Sequence, residues 1–125
     1  MDWIAILGAI KTAIDIVRGL PEAQEKGKQI LDQFGGLLGK AGSAKEPDGV
    51  LATLVERQGQ RLQALGEEFA SKDADLRFDN IEKAAFRKRV AAQAKELLTI
   101  CAPIKDQIPG YDSLLAFFDT AARPG

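Results

Sequence analysis

The chain has 125 residues, 46% hydrophobic and 28% charged, with 17 Lys and Arg against 18 Asp and Glu. That is one domain's worth of ordinary globular material, long enough to hide roughly two-thirds of its unfolded surface. The net charge of −1 argues against a dedicated nucleic-acid binder, whose affinity rests on a clear basic excess.

Apolar side chains recur at helical spacing along almost the whole chain, and no run alternates as a half-buried strand would. A first helix is predicted from Asp2 to Gly19. Trp3, Ile6, Leu7, Ile10, Ile14 and Val17 form its stripe, and Ile4 and Ile16 widen it. Its polar strip is narrow: Gly8, Lys11, Thr12, Asp15 and Arg18. Gly19 suits the helix end, and Pro21 suits the start of the next helix, which is expected to reach Leu38 with Ile30, Phe34 and Leu37 inward. Residues 39–46 (GKAGSAKE) read as a loop. Gly39-Lys40 superficially resembles a phosphate-binding loop, but Ala41 stands where Ser or Thr is needed and no strand precedes it.

A third helix is predicted from Pro47 to Ser71, with Ser43 and Glu46 at capping-box spacing before it. Its seam is Leu51, Val55, Gln58, Leu62, Leu65 and Phe69, a heptad pattern with one polar residue in the middle; Leu54 is expected in the core as well. Gln58, if buried, must find a hydrogen-bond partner; with Arg61 near the same seam and Gln93 near that of the fourth helix it reads as a polar layer of register-setting hydrogen bonds inside the bundle, the alternative being a self-association face. A fourth helix begins between Asp75 and Asp79, the latter at capping-box spacing to Glu82, and ends at Cys101–Ala102 before Pro103. Phe86, Val90, Ala94, Leu97 and Cys101 share its inner face, and Phe78, Ile81 and Ala85 are expected to open it. The third and fourth helices are the long pair, each about 24 residues or roughly 36 Å. After Pro103 comes a short turn, with a sixth short helix at 103–108 as the alternative, and then a fifth helix from Tyr111 to Ala122, with Leu114 and Phe118 inward. The fold class is therefore all-α, an up-down bundle of five helices, or six with the short one. Residues 1–122 read as a single domain and 123–125 as a tail or the start of a linker.

The functional inventory is mostly one of exclusions. There is no histidine, so the commonest general base, metal ligand and pH switch is missing. The single cysteine, Cys101, permits neither an intrachain disulfide nor a Cys/His zinc site, and it fits a reducing compartment. It reads as a small buried hydrophobe. No apolar run is long enough to span a membrane, because Lys11, Asp15 and Arg18 interrupt the best one. The N-terminus lacks the basic start of a signal peptide. Cytoplasmic location, no enzymatic activity, no cofactor, no metal and no small-molecule substrate are the expectations.

Two surfaces remain as candidates for partner binding. The outer side of the first helix carries Ile4, Lys11 and Arg18. The fourth helix carries Lys83, Arg87, Lys88, Arg89 and Lys95 with no acid between 83 and 95. The plain alternatives are a central core helix and a solvated basic face. The sequence is read as a non-enzymatic helical interaction module, an adaptor, regulator or inhibitor, whose partner is another protein or a second copy of itself. A membrane-active bundle whose first helix inserts into lipid is the alternative, and a small structural subunit of a nucleoprotein complex is the second alternative. Nucleic acid is disfavoured, since no aromatic platform is interleaved with the basic residues.

Overall fold

Helical periodicity becomes helix along nearly all of the chain in the computed structural model, which describes residues 3–38, 47–108 and 110–123. Among the described residues five α-helices follow in order: α1 (Trp3–Val17), α2 (Gln24–Leu38), α3 (Gly49–Asp73), α4 (Asn80–Ile100) and α5 (Tyr111–Ala122). One 3₁₀ turn, Pro21–Ala23, leads into α2, and a longer 3₁₀ segment, Ala102–Gln107, joins α4 to α5. The alternative at 103–108, a short sixth helix, is this segment. The capping box at Asp79 forms: its side chain accepts the Glu82 backbone N–H at 2.8 Å, satisfying one of the orphan donors of the first turn.

The architecture is an all-α bundle with α1 in the middle, packed on α2, α3 and α4. Ile6 lies over Gly59 and Thr12 over Gly66, so α1 and α3 run in the same direction. α4 returns along α3, with Gln93 beside Gln58 and Phe86 against Phe69. α5 returns along α4, where Lys95 reaches Asp119 and Lys88 reaches Arg123. Gly66 already meets Thr12 and Ile16 near the end of α1. The last turns of α3 and the first turns of α4 therefore extend beyond α1 as an arm. Phe69, Phe78 and Phe86 fill the inside of that arm, with ring centroids 5.6 to 6.2 Å apart.

α1 is the hub because its apolar stripe is too wide for one neighbour. Trp3, Leu7, Ile10, Ile14 and Val17 are all buried, and the exposed residues are confined to Ile4, Ala5, Lys11, Thr12 and Asp15. Each buried aliphatic of this size contributes about 1.5–3 kcal/mol of transfer free energy. The C-terminus of α1 is closed by Arg87 of α4, whose Nε donates to the Ile16 carbonyl at 3.1 Å. A cation there also complements the negative end of the helix dipole. Gly19 leaves room for that guanidinium: a Cβ at this position would sit 2.5 Å from Arg87 Nε. Gly19→Ala should push Arg87 off both Ile16 and the Phe69 ring and lower stability by about 1–2 kcal/mol, measured by urea denaturation.

Several expectations need correction. Leu54 and Ile81, expected in the core, are exposed, and so is Ala85, expected to open the inner face of the fourth helix. At about 100° per residue, Leu54 sits at the margin of the α3 stripe, about 40° beyond Gln58 and on the side away from Val55 and Leu62, and Ile81 lies about 140° from Phe86. Leu51, Leu65 and Ile30 are only half-buried. α1 stops at Val17 rather than Gly19, and the α-helical part of the second segment starts at Gln24 because Pro21 opens a 3₁₀ turn first. α3 starts at Gly49, two residues after Pro47, with Asp48 as N-cap, and runs on to Asp73. Gly49 takes φ +68°, a left-handed value that side chains disfavour, which accounts for the late start. The loop 39–46, its Ser43–Glu46 capping box and the Leu37 side chain lie outside the described residues.

Candidate functional site

The five basic residues of α4 do not form one face. Successive residues of a helix point about 100° apart, so Lys83, Arg87, Lys88, Arg89 and Lys95 fan around it. Lys83 pairs with Asp73 at 3.0 Å and sits over the Phe78 ring. Arg87 covers Phe69 with its guanidinium carbon 5.1 Å from the ring centroid, besides holding Ile16. Lys88 donates to the Arg123 carbonyl at 2.9 Å, and Lys95 pairs with Asp119 at 2.7 Å. Four of the five thus tie α4 to the arm, α1 or α5. Arg89 differs. It stacks on Phe86 at 5.1 Å, is exposed, and has no carboxylate partner among the described residues. On α1, Ile4 is 60% exposed and Lys11 is exposed, while Arg18 is engaged by Asp15 at 3.1 Å.

What the fold builds instead is a surface at the α3–α4 corner. Leu76 is fully exposed at the tip and Ile81 is 82% exposed on the first turn of α4. Beside them is an open groove of about 590 Å³, lined by Lys72, Asp75, Phe78, Glu82, Phe86 and Arg89. Phe78 and Phe86 line it, and Phe69 packs against both rings. Lys72 is held by Glu68 at 3.1 Å and lies over Phe86. Asp75 accepts the Arg77 backbone N–H at 2.9 Å and its guanidinium at 3.3 Å, and these bonds hold its carboxyl below the usual range. Glu82, by contrast, has no cation partner among the described residues.

The polar layer expected at the α3–α4 seam is present. Gln58 is 2% exposed and its Nε2 donates to both the carbonyl and the Oε1 of Gln93, at 3.0 and 2.7 Å. Arg61 takes no part and is exposed. Asp119 is held below the ordinary carboxylate range by hydrogen bonds from Lys95 first and Arg123 second. Its contribution to stability is present at neutral pH and fades as pH falls through that lowered value.

Cys101 is buried at the end of α4, and burial pushes its thiol up to about 12. Only a thiolate attacks, so this group is inert in the folded state. At mildly alkaline pH a thiol reagent should label it only as fast as the bundle opens, and immediately in denaturant; rapid labelling of the native protein would contradict the packing. Above the ordinary thiol value of 9.0 the unfolded chain loses the proton that the native state keeps, so this group lowers stability as pH rises towards about 12. Among the described residues no cluster of three Cys, Asp or Glu could hold a metal ion, and no helix is long and apolar enough to cross a membrane.

Sequence reasoning missed Leu76 and Ile81. Leu76 lies in the α3–α4 connection, where no periodicity applies. Ile81 was legible: it is five residues from Phe86, some 140° around the helix from the inner stripe. Comparison of the chain with protein-family models, with curated proteins and with solved structures found no match.

Proposed function

We propose that this chain is a non-enzymatic helical interaction module of the cytoplasm that engages a protein partner through the α3–α4 corner. The carrying observation is the pair of large apolar side chains, Leu76 and Ile81, standing in water next to a groove floored by Phe78 and Phe86. Isolated exposed apolar residues are ordinary, but Leu76 stands between the groove residues Asp75 and Arg77 in the chain and Ile81 next to Glu82, so both adjoin an aromatic-lined concavity that also carries charged residues. The four acids of the same corner, Asp73, Asp75, Asp79 and Glu82, balance its four cations, Lys72, Arg77, Lys83 and Arg89, so the basic excess that an anionic membrane or a nucleic acid would need is absent from it. The lipid-insertion reading is disfavoured on another count. The apolar face of α1 is occupied by α2, α3 and α4, so releasing it would strip the core.

The test is site-directed photocrosslinking in cells expressing the full chain. A photoreactive residue placed at position 76 or 81 should give an adduct of defined mass. The same residue at the exposed position 105, at the other end of the bundle, should give none. Absence of adducts at 76 and 81, or equal adducts at all three positions, overturns the proposal.

A further inference from the structure

Building on that reading, we infer that the partner seated on the outer face of α4 is a second copy of this chain, docked antiparallel about a two-fold axis at Ala85. Beyond Asn80 at its first position, the exposed residues of α4 are Ile81, Glu82, Ala85, Arg89, Ala92, Glu96 and Thr99, a single strip running the length of the helix. At about 100° per residue, Ala85, Ala92 and Glu96 lie near its centre line, Glu82 and Arg89 on one edge, and Ile81 and the half-buried Lys88 on the other. An antiparallel two-fold keeps like edges together. Placed at Ala85–Phe86, it sets Glu82 opposite the partner's Arg89 and Arg89 opposite the partner's Glu82. These are the two charged groups of the groove without an ion pair among the described residues. Glu82 and Arg89 are seven residues apart, so both reciprocal pairs form from one helix face, as an isologous interface requires.

The apolar contacts fit the same operator. Ala85 meets the partner's Ala85 almost on the axis, and a methyl side chain lets two helices approach closely. On the opposite edge the exposed Ile81 covers the partner's Ala92 and the stem of its Lys88. The axis thus gives a partner both to the large apolar side chain and to the unpaired charges.

Sedimentation equilibrium from micromolar to millimolar concentration reads the result directly. The native chain should dimerise, and a chain that stays monomeric at millimolar concentration overturns the inference. Ile81→Asp should give a monomer with unchanged helicity and melting temperature, because the side chain it replaces is 82% exposed. Glu82→Arg alone should weaken the dimer about tenfold, as should Arg89→Glu alone, by setting two like-charge pairs across the axis. The double variant Glu82→Arg with Arg89→Glu should recover native affinity. A dimer indifferent to both single reversals, or one the double variant fails to restore while folded, excludes this geometry. Photocrosslinking at position 81 separates the two claims. An adduct of twice the chain mass supports both. An adduct with a different protein overturns the second-copy inference and leaves the interaction module standing; no adduct at 81 overturns the second-copy inference, and none at 76 either overturns both.

Discussion

Ile10→Asp is expected to leave the chain largely unfolded at room temperature. Ile10 has no exposed surface and sits midway along α1, the helix that touches α2, α3 and α4 at once. Truncation at such a site removes about 2–5 kcal/mol through lost burial and the cavity left behind. A carboxylate adds the cost of an uncompensated buried charge, and the neighbours on this face, Leu7, Ala13 and Ile14, offer it neither cation nor donor. The sum matches or exceeds the whole stability of an ordinary domain, about 5–15 kcal/mol. Circular dichroism should show most helical signal lost, and the emission of Trp3, buried in the native chain, should move to the red. Lys11→Asp is the control. It lies one residue further on but on the exposed strip, and should change stability by no more than about 0.5 kcal/mol. A folded Ile10→Asp chain would mean that α1 is not the hub and would return it to the list of binding helices.

The hub was legible in the sequence because apolar residues cover more than half the circumference of the first helix. Only burial on several sides or an unfilled interface accounts for that, and three packed neighbours decide between them. The α3 seam was legible for the same reason: Val55, Gln58, Leu62 and Phe69 follow the heptad and are buried. Leu54 misled because hydrophobicity alone was weighed, and its angular position lies off that seam. The basic run of α4 misled differently. Proximity in sequence suggested a common face, whereas the 100° step sends Lys83 and Arg87 towards the arm, Lys88 and Lys95 towards α5, and Arg89 alone to the groove. The aromatic cluster could not be foreseen, because Phe69, Phe78 and Phe86 belong to two helices and a turn, and only the antiparallel return of α4 brings them together. A cation over each ring of that cluster lets aromatic surface sit near water, so the charges there are structural cover before they are anything else.

Gln58→Glu should be the most damaging near-isosteric change in the chain. The amide group of Gln58 works as a donor twice over, to the carbonyl and the side-chain oxygen of Gln93. A carboxylate in its place presents a third acceptor to two acceptors in a site that is 2% exposed. The loss should be about 3 kcal/mol or more at neutral pH, from two broken hydrogen bonds and a buried charge that has no partner. In this variant the native state can relieve the conflict only by binding a proton, which restores one donor. The folded form then holds its proton to a higher pH than the unfolded chain does, so stability must rise as pH falls towards the ordinary carboxyl range and decline as pH rises above it. Gln58→Leu has the opposite character. It keeps the volume and removes the donor, and the half-buried Gln93 amide can turn to water, so the cost should stay below about 1.5 kcal/mol. Denaturant titrations of both variants at neutral and mildly acidic pH decide the matter. If Gln58→Glu were no worse than Gln58→Leu and independent of pH, the buried amide would be filling space rather than fixing the register of α3 against α4.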